Sequence, residues 1–395
     1  MKPLPLLFFA LFNSILGLSV LFPVLAPLGR ELGLTELQVG SLSTAYALMQ
    51  LLISPYWGRR SERVGRKPVI LTGIVGFALS FFGFGVVAHL GTKGVLSGGL
   101  LYGGLLAARL LGGTLSSATI PTAQAYVADV TDREKRTSGM AVIGAAFGLG
   151  IIFGPGIGAA LSTFGLLVPV YFSAGMAVVN ALFVWTSLPE PKRHEGRRVG
   201  NVALVDGRIW PLLAIGLAAA LAAVSMEQTI AFLFQDRLSL DAKHTARAVG
   251  MALVVYGVVA VFAQGVLIRR LRLKPSTLLR VGVPVAALGL AGLVFANDFA
   301  SLTVALAMQG LGQGFVSPGV TSALSLAVDD EQQGAVAGYN SSAQALGRML
   351  GPLAGTALYQ LKPAFPYAFA CSLLVMVMVV ILVAPQVVSP SPPAV

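Results

Sequence analysis

The sequence predicts an all-α membrane protein of twelve transmembrane helices, arranged as two six-helix bundles that repeat one another. Three observations carry this. Of 395 residues, 56% are hydrophobic and only 11% charged, whereas a soluble domain carries roughly a quarter charged residues. The apolar residues fall in runs of about 20 or more, enough to cross a bilayer core as helices. Three short motifs also recur close to 200 residues apart, so that one register covers most of each half. A mean hydropathy of +0.82 and the 46 glycines and 22 prolines agree, since both residues are more frequent in transmembrane helices than in soluble ones.

Twelve spans can be drawn at approximately 6–28, 37–57, 68–89, 94–118, 137–161, 166–188, 209–234, 246–268, 277–296, 301–327, 334–359 and 364–384, the fourth extending to about 127. The first run is much longer than the roughly 7–15 residues of a signal-peptide core, and further spans follow it, so it reads as a helix that stays. PEPKRHEGRRVGNVALVD, from Pro189 to Asp206, is the longest polar connection and splits the chain near its middle. The expected domains are therefore a bundle over 1–188, a linker over 189–208, a second bundle over 209–385 and a disordered tail over 386–395. The repeat is legible in three pairs: GRKPVIL at Gly65 with RLKPSTLL at Arg272, ARLLGG at Ala108 with MQGLGQG at Met308, and FGPGIGAAL at Phe153 with LGPLAGTAL at Leu350.

Charge sets the orientation. With the N-terminus inside, eighteen Lys and Arg fall on the cytoplasmic side and six on the other, as the positive-inside rule requires. Both termini are thus expected in the cytoplasm. The net charge of +11 clusters in loops between apolar spans, without a basic face interleaved with aromatics, and nucleic acid is set aside. Cys371 is the single cysteine, so no intramolecular disulfide and no cysteine metal site can form. His89, His194 and His244 are scattered near predicted loops, without metal-ligand spacing. No Walker-type loop and no Ser/His/Asp arrangement points to an enzyme, and no cofactor or metal is expected.

The densest knot of charge is PYWGRRSERVGRKPVIL, from Pro55 to Leu71, wedged between two apolar runs. Gly58 and Gly65 allow tight turns and close helix approach. Arg63 and Asp129, both at the cytoplasmic side, can form a charge-assisted pair, and Glu62 can sit against a neighbouring helix N-terminus. The alternative is that the cations only set topology, which suffices for Arg59, Arg60 and Lys67.

Gly58-x-x-x-Glu62-Arg63-x-Gly65-Arg66-Lys67 resembles the loop 2–3 signature of the major facilitator superfamily, with Glu62 where the family pattern has Asp. Arg109-Leu-Leu-Gly-Gly-Thr-Leu-Ser-Ser-Ala118 resembles the family's fourth-helix motif. Gly144-Ala-Ala-Phe-Gly148-Leu-Gly150-Ile-Ile-Phe-Gly154-Pro155-Gly-Ile-Gly158 resembles the fifth-helix antiporter motif. AYVADVTDREKR from Ala125 is similar to the same region of tetracycline/proton antiporters and their multidrug relatives. The resemblance implies a monomer in a bacterial-type inner membrane, working by alternating access. It also implies a cytoplasmic latch built from Gly58, Glu62, Arg63, Gly65, Arg66 and Asp129.

Three ionisable residues lie deep within predicted spans: Arg109, Glu227 and Arg348. Charge at bilayer depth is costly, so each is a functional candidate. Desolvation favours the neutral form of a carboxyl, which makes Glu227 the candidate proton carrier; a static pair with Arg348 is the other reading. Arg109 is open between tuning the proton site, contacting an anionic group and bracing helices, and the resemblance favours coupling. Arg348 matches no signature and is a candidate anion contact. Gly148, Gly150, Gly154, Pro155 and Gly158 let the fifth helix bend and press on a neighbour, as a hinge and seal or as plain packing.

Asn13, Gln124, Gln228, Gln309 and Gln313 are candidate cavity lining. Gln50, Tyr126, Tyr256, Tyr339 and Asn340 are further polar groups in or beside spans, and for any of these an interhelical hydrogen bond is an equal reading. The function expected is proton-coupled efflux of a small amphipathic organic compound, with proton-coupled uptake or facilitated exchange of a metabolite such as a sugar or organic acid as the alternative. The expected partners are that small molecule, protons and the lipid bilayer.

Overall fold

A backbone in lipid has no water to bond, so each apolar run satisfies its own amides as a helix. The computed structural model describes residues 3–131, 136–191, 206–271, 273–329 and 332–388, and every regular element among them is helical. The first span is α1 (Pro3–Ser19) and α2 (Phe22–Glu31), parted where Pro23 takes an amide out of the ladder. α3 (Glu36–Val64) starts at Thr35, whose hydroxyl accepts the Gln38 amide while the Gln38 side chain accepts the Thr35 amide, a reciprocal cap. α4 is Arg66–Thr92. The fourth span is α5 (Gly98–Ser116) and α6 (Thr119–Val130), with Pro121 in the first turn of α6. α7 (Arg136–Ser162) and α8 (Val168–Ser187) complete the first six spans.

The second six follow the same order. They are α9 (Trp210–Leu238), then α10 (Ala242–Phe262), which runs through one π-helical turn (Ala263–Leu267) into α11 (Ile268–Leu271), then α12 (Pro275–Phe295), α13 (Phe299–Leu326), α14 (Gln333–Leu361) and α15 (Phe365–Val383). Asp241 precedes α10 and accepts the backbone amide of His244. That bond and the His244 side chain hold its carboxyl below the usual range. Asp298 caps α13 and is lowered by the Ser301 hydroxyl and the amides of Ser301 and Ala300.

Nine helical segments among the described residues are long and apolar enough to cross a membrane. The other three spans carry polar groups or a break: α3 ends in Arg59, Arg60, Glu62 and Arg63, α14 holds Asn340, Gln344 and Arg348, and the fourth span divides at Ser117. Two expected boundaries move. The charged knot is helical as far as Val64, so its arginines up to Arg63 ride on the last turns of α3 and the loop shrinks to Gly65. Residues Pro385–Val387 make a short 3-10 turn and Val388 is buried. Most of the linker and residues 389–395 lie outside the described residues.

The chain forms two compact units. One holds α1–α8 with the segment Ser239–Met251, and the other holds α9, the rest of α10 and α11–α15. In the first unit α1 packs on α7 and α8, and α4 on α5 and α8; in the second α9 packs on α14 and α15, and α12 on α13 and α15.

Both units are built on one device. On α7, a Cβ at Gly150 would lie 2.8 Å from Ile15, one at Gly154 would strike Ser19, and one at Gly158 would strike the Val20 carbonyl. The Ser19 hydroxyl donates to the Gly150 carbonyl at 2.7 Å. On α14, Cβ atoms at Gly347, Gly351 and Gly355 would lie 2.6, 2.8 and 2.7 Å from Ala220, Val224 and Ser225 of α9. Each α14 glycine stands 197 residues after its α7 counterpart, and Pro352 stands 197 after Pro155. Two backbones thus meet with nothing between them, which is how helices gain dispersion energy in lipid, where burial from water drives nothing.

Gly158→Val is expected to cost about 1–3 kcal/mol through overpacking, read as a lower unfolding midpoint in detergent, and Gly355→Val to do the same. Gly148→Ala, with nothing within 4 Å of the added Cβ, is the control that leaves the midpoint unchanged. Equal midpoints for all three would contradict this account of the seams.

Candidate transport site

At the α3–α4 turn Gly65 has φ 115°, a conformation that L side chains rarely adopt. A Cβ there would also sit 2.9 Å from Glu190 Oε1. Glu190 accepts the amides of Arg66 at 2.5 Å and Lys67 at 2.9 Å, so its carboxylate caps α4 where partial positive charge gathers. Glu62, the carboxylate expected at a helix N-terminus, is exposed on the last turn of α3, and Glu190 fills that role. Asp129, expected to pair with Arg63, is gripped by Arg66: Nε donates to its Oδ2 at 2.7 Å, with both side chains largely buried. Arg66 Nη1 also donates to Ser61 Oγ at 2.6 Å, and Ser61 donates to the Gly58 carbonyl at 2.7 Å. The close approach expected at Gly58 is not made, for its Cβ would meet nothing within 4 Å. Tyr126 is fully buried and its hydroxyl donates to the Pro189 carbonyl, one residue before Glu190.

Of the expected α7 hinge, Gly150, Gly154 and Gly158 form the seam with the first span, and Gly148 does not join it. Pro155 lies inside α7, and its carbonyl would be 2.7 Å from a Cβ at Gly250.

Arg109 on α5 is 4% exposed. Its guanidinium carbon lies 4.5, 5.1 and 6.0 Å from the ring centres of Phe84, Phe81 and Tyr46, and its Nε has no hydrogen-bond partner. Aromatic faces stand where a counter-ion would, and a desolvated cation–π contact is worth about 2 kcal/mol. Tyr46 is fixed in turn by Ser116, hydroxyl to hydroxyl at 2.6 Å.

Glu227 on α9 is half-buried and Arg348 on α14 exposed. They act on each other electrostatically, and Tyr256 on α10 also feels Glu227, yet no ion pair within 4 Å joins the two among the described residues. The direct Glu227–Arg348 contact weighed from the sequence is therefore absent here. Asn13, Gln124, Gln228 and Gln313 are partly exposed. Gln309 is instead 1% exposed, its Oε1 without a partner, which places it in helix packing between α12 and α13 beside Gly289. Sequence reasoning missed Glu190 as a cap, since nothing in PEP signals which distant helix it serves. Tyr256 as a neighbour of Glu227 was equally hidden.

Nine apolar helical segments among the described residues, in two units built on matching glycine seams, define a polytopic membrane protein. The family model described as the Major Facilitator Superfamily matches residues 7–301 and again 245–394, and the chain belongs to that superfamily. It is 28% identical over 382 residues to "Multidrug resistance protein 2" of Bacillus subtilis (strain 168), covering 91% of this chain and 89% of that one. It is 24% identical over 393 residues to "Quinolone resistance protein NorA" of Staphylococcus aureus (strain COL), covering 98% and 97%. Among solved structures, the human organic anion transporter MFSD10 (TETRAN) superposes with TM-score 0.69 at 21% identity over 96% of this chain and 98% of that one. A bacterial homolog of the human lysosomal transporter Spinster, inward-facing and occupied, gives TM-score 0.73 at 14% identity over 98% and 95%. Both have the same fold.

Glu190→Ala removes the acceptor of two amides and is expected to cost about 0.5–2 kcal/mol, read as thermal unfolding in detergent. Gly65→Ala costs more alone than in the Glu190→Ala background, because the Cβ clash with the carboxylate disappears while the φ strain stays. Additive costs for the pair would contradict the contact.

Proposed function

We propose that this transporter exports small amphipathic organic compounds in exchange for protons by alternating access, as a monomer in a bacterial-type inner membrane with both termini cytoplasmic. The observation that carries the reading is Glu227: a half-buried carboxylate within a span that makes no ion pair within 4 Å with Arg348. Desolvation favours the neutral form of such a group and a polar opening the charged form, so it exchanges a proton as its surroundings alternate. The printed names of the relatives, multidrug and quinolone resistance proteins, support efflux of organic compounds. Arg109, held against aromatic faces, keeps its charge and is assigned to coupling through the field it exerts.

The Arg66–Asp129 pair and the Glu190 cap are assigned as a latch that holds the cytoplasmic side closed in one state and is released in the other. Asp129→Asn is expected to shift the distance distribution of spin labels across that side away from the outward-open state. An unchanged distribution would sink the latch.

The test of coupling is reconstitution in liposomes with an imposed pH gradient and a trapped pH dye. Added drug-like cations and neutral amphiphiles should dissipate the gradient with wild type, and Glu227→Gln should lower that flux at least about tenfold. A Glu227→Gln protein that retains gradient-driven transport would remove Glu227 as the carrier.

A further inference from the structure

Within the second unit α12 and α13 approach closely at Gly292, where a Cβ would lie 3.1 Å from Ala305. Toward the turn that joins them, residues 296–298, a notch of about 400 Å³ opens between the two helices. Its walls are apolar, formed by Phe295, Val304, Ala305 and Met308, and Phe295 and Val304 are 77% and 60% exposed. Both helices are long and apolar enough to cross a membrane. The walls therefore stand at the level of acyl chains, and the turn stands at the level of headgroups.

The turn is held stiffly and carries charge. Arg237, near the end of α9, donates through Nη1 to the Ala296 carbonyl at 3.2 Å and to Asn297 Oδ1. Its Nη2 donates to the Val294 carbonyl at 3.1 Å, and its Nε is left without a hydrogen bond among the described residues. Ala296 and Asn297 both line the notch, so the guanidinium lies just behind its rim. Asp298, also on the rim, accepts the amides of Ala300 and Ser301 at 3.0 Å and the Ser301 hydroxyl at 2.6 Å. Those bonds hold its carboxyl below the usual range, so it is ionised at neutral pH. It is exposed, and it is the sole charged residue between 292 and 308.

An apolar notch with an anion on its rim and a guanidinium behind it selects among amphiphiles. A lipid with a net negative charge is repelled by Asp298. A quaternary ammonium has no N–H to donate. A phospholipid with a primary ammonium satisfies both groups, its ammonium on the carboxylate and its phosphate on the guanidinium.

We infer that the notch between α12 and α13 is a binding site for a membrane phospholipid with a primary-ammonium headgroup. One acyl chain lies against Phe295, Val304 and Met308, the ammonium is held by Asp298, and the phosphate is held by Arg237. Under the orientation proposed above, the lipid comes from the leaflet opposite the cytoplasm. The site stands apart from Glu227 and from any assignment of cargo.

The test is photolabelling of the full chain in phosphatidylcholine nanodiscs that contain a phosphatidylethanolamine with a diazirine in its acyl chain, the labelled peptides being mapped by mass spectrometry. The label is expected to concentrate in residues 292–308 and to be displaced more readily by unlabelled phosphatidylethanolamine than by phosphatidylglycerol. Asp298→Asn keeps the cap of α13, because Asn caps a helix about as well as Asp, so the unfolding midpoint should hold. It should lower the preference for phosphatidylethanolamine over phosphatidylglycerol roughly 2- to 5-fold, the worth of an exposed ion pair. Arg237→Gln should weaken both lipids together, since both carry the phosphate. A label spread evenly over the lipid-facing helices, or displaced equally by the two lipids, would mean annular lipid only and overturn the inference. A preference that Asp298→Asn leaves unmoved would overturn it as well.

Discussion

Close approach of helix backbones in a solvent that offers no hydrophobic driving force is the constraint on which this structure rests. In lipid, association comes from van der Waals packing and from the few polar bonds that can be shared. Three glycines four residues apart give α7 a smooth flank for α1, and three more give α14 the same flank for α9. The Ser19 hydroxyl closes the first seam on the Gly150 carbonyl, and Tyr359 closes the end of the second on Asp236 at 2.6 Å. Because each seam is keyed turn by turn, the level of every side chain on one helix is set relative to its neighbour. The level of Arg348 on α14 relative to Glu227 on α9 is therefore set by this glycine seam.

The polar chemistry is laid over that frame at two depths. Deep in the spans, among the described residues, Arg109 is packed among aromatic faces, and no ion pair within 4 Å joins Glu227 to Arg348. At the α3–α4 turn charge is managed by contact, with Arg66 on Asp129 and Glu190 on the amides of α4. The contrast has a physical basis. A tight buried pair is stable but fixed, whereas groups that must exchange protons or cargo have to remain unpaired enough to accept them.

Much of the fold was legible because apolar run length and glycine spacing report helix number and seams directly. The echo of FGPGIGAAL in LGPLAGTAL marks both seams at a constant offset. What sequence could not give was which polar group meets which. Sequence points to Arg63 as the partner of Asp129, and the structure puts Arg66 on that carboxylate. Gly58 and Gly148 read like Gly65 and Gly154, yet they face open space, because a glycine reports permission for close approach and not its use. Glu190 was hidden because capping across 124 residues leaves no local pattern. Gln309 looked like lining and is packed away, since a lone amide in an apolar helix has the same signature in either place.

The account turns on competition between cargo and proton for one carboxylate, and proton release on binding tests it most directly. 1-Pyrenemethylammonium, a small amphipathic amine, is mixed with the purified protein in weakly buffered detergent at mildly acidic pH, and the change in pH is followed with an indicator dye. The account predicts that wild type releases close to one proton per molecule bound and that Glu227→Gln releases none. Binding without release, or with proton uptake, would contradict it.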